Sequence, residues 1–108
     1  MVGAAELAAL KDSGYVINTA RGGIIEEAAL YDALKSNAIA GAGIDPFDVE
    51  PATPDNPLFK LDNIIVSPHS AGVTKESVFR MGYEAAKNVV DAFDGNLDPA
   101  TVINPEVL

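Results

Sequence analysis

Arg21, Asp45, Glu50 and His69 are the residues whose types could do chemistry together: a fixed cation, two carboxylates and the sequence's single imidazole. Side chains of these kinds hold an anion and transfer a proton. Their spacing matters as much as their types. Tyr15-Val16-Ile17-Asn18-Thr19 runs into Ala20-Arg21-Gly22-Gly23, Ala40-Gly41-Ala42-Gly43-Ile44 runs into Asp45 with Glu50 after it, and Asn63-Ile64-Ile65-Val66-Ser67 runs into Pro68-His69-Ser70-Ala71-Gly72. If the three apolar runs are parallel strands, all four residues lie at one edge of one sheet, where open α/β sheets bind ligands. Taken singly, Arg21 or Glu50 also reads as an ordinary polar residue where a strand meets water. His69 is the stronger candidate, because its Pro-His-Ser-Ala-Gly turn exposes the ring.

The elements that must position these residues follow from periodicity and punctuation. The pattern predicts a short helix over 4–11, strands over 15–19, 40–44 and 63–67, a helix over 26–36, one helical turn over 56–60 and a long helix capped by Thr74 that ends near Phe93. Asn37 and Gly95 stand where the second and last helices should stop. Between 46 and 57, four prolines and three acids give a stiff surface loop, and Pro51 restricts the backbone beside Glu50. Gly22 and Gly23 serve either a tight turn or an anion cradle at a helix N-terminus. Small residues in the second strand suggest close approach by a helix or ligand. Gly41 and Gly43 are no dinucleotide fingerprint, since they lie inside a strand and Pro46 follows. Alternating helices and strands imply an α/β fold, a parallel sheet with right-handed crossovers, and three strands beginning in mid-pattern look like the second half of a doubly wound sheet. The tail from Leu97 onward should be extended.

Composition narrows the partners. A length of 108 residues suits one domain or less, and 48% hydrophobic with 21% charged residues describes a globular chain. Seven basic against sixteen acidic residues give a net charge of −9, which argues against nucleic acid or an anionic membrane as partner. An anionic substrate would then need local positive charge, and Arg21 is its best-placed source. No cysteine is present, so disulfide and thiolate chemistry are out, and a cytoplasmic location is the simplest expectation. A single histidine argues against a zinc site. No apolar run is long enough for a bilayer, and the first residues do not read as a signal peptide.

Asn18-Thr19-Ala20-Arg21-Gly22-Gly23-Ile24-Ile25 with Glu27-Ala28-Ala29-Leu30, Gly43-Ile44-Asp45-Pro46-Phe47 with Glu50-Pro51, Asn56-Pro57-Leu58, and Ser67-Pro68-His69-Ser70-Ala71-Gly72 together carry a resemblance over nearly the whole chain. The sequence resembles the NAD-dependent D-isomer-specific 2-hydroxyacid dehydrogenases, a group that includes phosphoglycerate dehydrogenase, glyoxylate or hydroxypyruvate reductase and D-lactate dehydrogenase. The resemblance implies the second half of a Rossmann-like doubly wound parallel sheet. It implies an oxidoreductase that uses NAD, with NADP also open, on a D-2-hydroxy or 2-keto acid. Arg21 would hold the substrate carboxylate, His69 would be the acid/base and Glu50 its partner. Cofactor contacts would come from Thr19, Ala20, Arg21, Asp45, His69, Ser70, Ala71 and Gly72.

Pro46 and Asp48 depart from the family's common motif, and Pro46 would be expected to shift the loop carrying Glu50. A glycine-rich turn and a substrate domain typical of the family lie outside the sequence. Residues 1–94 are therefore expected to be the C-terminal part of an NAD-binding domain, 95–108 a tail returning to a substrate domain, and the piece alone inactive. A homo-oligomer, as in a homodimer, is expected from the apolar faces left uncovered. A different class, a non-catalytic NAD(H)-binding interaction protein of the corepressor type, would use the same fold and triad. An accompanying interaction segment would favour it, and none is visible.

Overall fold

The computed structural model describes residues 1–107. It divides into two compact units, Met1–Gly72 and Val73–Leu108. In the first, α1 (Ala4–Ala8), β1 (Tyr15–Asn18), α2 (Glu27–Lys35), β2 (Gly41–Ile44), a 3₁₀ turn (Pro57–Lys60) and β3 (Ile64–Val66) follow in order. The strands form one parallel sheet in the order β1-β2-β3. Asn18 lies opposite Ile44 and Ile44 opposite Val66, so the three strands end level with one another. That level edge puts the loops after each strand side by side.

The strand period of two sorts the sheet into unlike faces. Ala42 and Ile44 are buried on one face against Leu7 of α1, Leu30 and Leu34 of α2, and Ile39, Phe47 and Leu58. Each fully buried leucine contributes roughly 1.5–3 kcal/mol of transfer free energy, so the spacing of Leu30 and Leu34 is what fixes α2 on the sheet. On the other face Tyr15, Ile17 and Ile65 are 71%, 71% and 79% exposed. In β1 only Asn18 is buried. The glycines of β2 lie on that open face, where the Tyr15 and Ile17 side chains are their near neighbours. A Cβ on Gly41 would come within 2.9 Å of both the Asn63 carbonyl oxygen and the Tyr15 ring.

Helix ends match their local chemistry. Asn37 adopts φ 55° beyond α2, the left-handed stop that asparagine tolerates. α1 is shorter than its pattern: past Ala8 the Leu10 N–H donates to the Leu7 carbonyl three residues back at 3.2 Å, and a separate turn follows in which the Gly14 N–H donates to the Lys11 carbonyl at 2.8 Å. The second unit contains α3 (Lys75–Phe93), whose N-cap Thr74 accepts from the Ser77 N–H at 3.1 Å, while Ser77 Oγ accepts from the Thr74 N–H at 2.9 Å. Gly95, at φ 69°, follows its end. The tail is not simply extended: Pro99–Thr101 and Pro105–Val107 form 3₁₀ turns, the first capped by the Asp98 carboxylate on the Ala100 N–H at 2.9 Å. Among the described residues no helix is long and apolar enough to cross a membrane.

Candidate active site

The end of β1 is shaped by a buried amide. Asn18 is 6% exposed, and its Oδ1 accepts from the Ala20 N–H at 3.0 Å while its Nδ2 donates to the Arg21 carbonyl at 2.8 Å. A buried polar side chain at a strand end must satisfy both its donor and its acceptor, and doing so here folds Thr19-Ala20-Arg21 into one turn. Arg21 is exposed, with Nη1 donating to the Ala20 carbonyl at 2.6 Å. The turn continues into Gly22, where a Cβ would stand 2.2 Å from the Phe47 carbonyl oxygen. Only glycine lets the loop after β2 lie this close. Gly23 follows at φ 73°, and its N–H donates to Asp48 Oδ1 at 2.6 Å. The two glycines thus build a tight turn whose amide is taken by the chain's own carboxylate.

Asp45 at the end of β2 is 3% exposed. Its Oδ1 accepts from Ser67 Oγ at 2.5 Å and from the Ser70 N–H at 2.8 Å, and its Oδ2 accepts from the Ala71 N–H at 3.0 Å. The Ser67 hydroxyl, then the Ala71 and Ser70 N–H groups, hold this carboxyl below the usual carboxylate range against the opposing effect of burial. Its backbone carbonyl also accepts from the His69 N–H at 3.1 Å. One residue thereby organises the whole Ser67–Ala71 turn, in which His69 takes the left-handed φ of 53°.

That turn delivers the imidazole to Glu50. His69 Nδ1 lies 2.9 Å from Oε1 and 3.0 Å from Oε2 of Glu50, with side-chain exposures of 40% and 42%. Glu50 Oε1 also accepts from the Phe47 N–H at 3.2 Å, which ties the carboxylate to its own loop. Pro46 is fully buried and the pair still forms, so its departure from the common motif leaves Glu50 in reach. A carboxylate only accepts, so Nδ1 carries a proton in this pair and Nε2 is the nitrogen left for chemistry.

A cleft of about 380 Å³ is lined by Asp45, Glu50 and His69 together with Phe47, Phe59 and Val66. Arg21, Thr19 and Ala20 are not among its lining residues, although β1 ends level with β2 and β3. Asn18, Ser67, Glu27 and Asp48 act on the same edge, yet residue type alone did not single them out. For Asn18 and Ser67 the available clue was position: a polar residue at the last turn of an otherwise apolar run.

Residues 1–71 match the family described as D-isomer specific 2-hydroxyacid dehydrogenase, NAD binding domain. The chain belongs to this family. A D-3-phosphoglycerate dehydrogenase of Archaeoglobus fulgidus is 42% identical over 95 residues, covering 88% of the chain and 18% of that relative. A glyoxylate reductase of Korarchaeum cryptofilum is 41% identical over 108 residues, covering all of the chain and 32% of the relative. Among solved structures, the NAD complex of a D-isomer specific 2-hydroxyacid dehydrogenase from Lactobacillus delbrueckii ssp. bulgaricus superposes with a TM-score of 0.82 at 31% identity, covering 96% of this chain and 35% of that one. The chain thus spans about a third or less of the length of these D-2-hydroxyacid dehydrogenases. Its three parallel strands with flanking helices are a Rossmann-like arrangement.

Proposed function

We propose that the full-length protein transfers hydride between NAD(H) and a D-2-hydroxy acid or 2-keto acid of the phosphoglycerate, glycerate/hydroxypyruvate or lactate type. The observation that carries this reading is the Glu50–His69 pair, which turns an imidazole into an oriented proton donor at the carboxyl edge of a parallel sheet. Residues 1–94 supply part of the cofactor domain and 95–108 a tail toward a substrate domain. A homo-oligomer in the cytoplasm is the proposed setting, and the apolar residues exposed on the open sheet face and α3 support association. A net charge of −9 weighs against nucleic acid and anionic membranes as partners.

The residues present fit the nicotinamide end of the cofactor. Asp45 is a buried carboxylate whose Oδ2 carries one of its two lone pairs toward Ala71, leaving the other for a carboxamide N–H. Thr19, Ala20, Ser70, Ala71 and Gly72 add backbone groups at the same edge. When bound, the nicotinamide supplies or accepts the hydride. In keto-acid reduction, Arg21 holds the substrate carboxylate by two parallel hydrogen bonds and so fixes the carbonyl's orientation. His69 Nε2 gives its proton to the carbonyl oxygen as the alcohol forms, and takes it back in the reverse direction. Glu50 keeps the ring turned so that Nε2 is the nitrogen presented for proton transfer.

Steady-state kinetics with NADH and a panel of 2-keto acids test this. In the full-length protein His69→Ala should lower turnover by about 10² to 10⁴-fold with NADH binding retained. Arg21→Ala should chiefly raise KM. The 108 residues alone should reduce none of the acids. Unchanged turnover in His69→Ala would refute the assignment.

A further inference from the structure

We propose that Glu27 and Asp48 are positioning residues that lock the turn carrying Arg21 to the loop carrying Glu50, so that anion anchor and proton donor keep a fixed separation. The proposal rests on the dehydrogenase reading above and gives the reaction two further participants that touch neither substrate nor cofactor.

Glu27 is the first residue of α2, where a carboxylate is favoured by the helix dipole. It reaches away from its own helix: Oε1 accepts from the Asp48 N–H at 2.7 Å and Oε2 from Asn56 Nδ2 at 3.0 Å. Asn56 Oδ1 in turn accepts from the Leu58 N–H at 3.0 Å, which caps the 3₁₀ turn Pro57–Lys60. Asp48 near the start of the loop between β2 and β3 and Asn56 just before its 3₁₀ turn are thus fastened to one carboxylate. Asp48 completes the tie, since its Oδ1 accepts from the Gly23 N–H at 2.6 Å. Gly23 stands two residues after Arg21, and Asp48 two residues before Glu50. Between them the backbones touch at Gly22, where a Cβ would lie 2.2 Å from the Phe47 carbonyl oxygen. The Phe47 N–H donates to Glu50 Oε1, so the tie continues through one residue to the His69 pair.

Charge-assisted hydrogen bonds of this kind are short and directional. A displacement of about 1 Å between reacting groups costs on the order of 100-fold in rate, so a link that sets where Glu50 and the Arg21 turn stand acts on turnover through geometry. Asp48 presents a carboxylate whose reach matches the Gly23 amide.

The test uses the full-length protein with NADH and glyoxylate, hydroxypyruvate or pyruvate, together with ¹⁵N NMR of the His69 ring, assigned by difference from His69→Gln. Glu27→Ala and Asp48→Ala should each lower kcat by about tenfold or more with the NADH Kd changed by less than about twofold. They should also reduce the share of His69 in the Nδ1–H tautomer. Glu27→Gln and Asp48→Asn, which keep an acceptor oxygen, should recover most of both. Lower melting temperatures with wild-type kcat and tautomer would overturn the proposal and leave the network a merely structural brace. If the wild-type protein reduces none of the acids, the dehydrogenase reading fails, and the tautomer alone then decides: wild-type ring signals in both alanine variants overturn the tie, altered ones uphold it.

Discussion

In the unit Met1–Gly72, nine apolar residues from α1, α2, β2 and the connecting segments share one closed core. In the unit Val73–Leu108, α3 has no buried residue, and Val78, Met81, Val89 and Phe93 are 51%, 60%, 57% and 90% exposed. The two units are held by different things. α3 is defined by what lies along its own length: the Thr74 and Ser77 exchange at its start, Gly95 at its end and the Lys87–Asp91 pair one turn apart. Such local contributions are small beside the burial of a core side chain. The first unit depends on residues far apart in the chain, and its site inherits that dependence, because Glu50, Asp45 and His69 meet only when β2 and β3 pair.

The sharpest way to break the contrast is truncation in each unit of the 108-residue chain. Leu30→Ala should cost about 2–5 kcal/mol, since the side chain is 1% exposed and leaves a cavity beneath the sheet. Val89→Ala should stay within about 0.5 kcal/mol, because it removes a half-exposed side chain and alanine is the better helix former. Urea unfolding of both variants measures this, and equal costs would show that α3 is buried as deeply as the core.

A smaller and more local effect comes from acid. Asp45 has its folded-state pKa lowered, first by the Ser67 hydroxyl. Its contribution to stability is therefore fully present above the ordinary aspartate value of about 3.9 and is lost as pH falls through that value toward the lower folded-state one. Amide NMR shifts of Ser70 and Ala71 should move together in that acid range, and Asp45→Asn should reproduce the acid-side shifts at neutral pH. Amides that stay fixed below it would show that the turn is held by something else.

The strands, helices and their parallel order were legible because period, glycine stops and the Thr74 cap all pointed one way. The residues at the sheet edge were legible as a group for the same reason. What did not show was which face of the sheet is closed: Tyr15 and Ile17 look like core residues in sequence, and only the side on which α1 and α2 pack decides that they are not. Local pattern did not by itself divide the labour among the carboxylates, and only the resemblance implied that Glu50 is the partner of His69. Asp45, Asp48 and Glu50 stand within one loop and look alike, yet the first gathers the His69 turn, the second takes the Gly23 amide and the third faces the imidazole. Those roles are set by hydrogen bonds to residues about 19 to 26 positions away in the chain, beyond the reach of local pattern.

The central claim, that Glu50 and His69 work as one unit, is tested most directly by a double-mutant cycle on kcat in the full-length protein with NADH and a reducible 2-keto acid. His69→Ala should cause nearly the whole loss of about 10² to 10⁴-fold, Glu50→Gln a smaller one, and the double variant should be no slower than His69→Ala, because Glu50 has nothing left to orient. Losses that multiply in the double variant would contradict the account, since each residue would then be acting on the reaction independently.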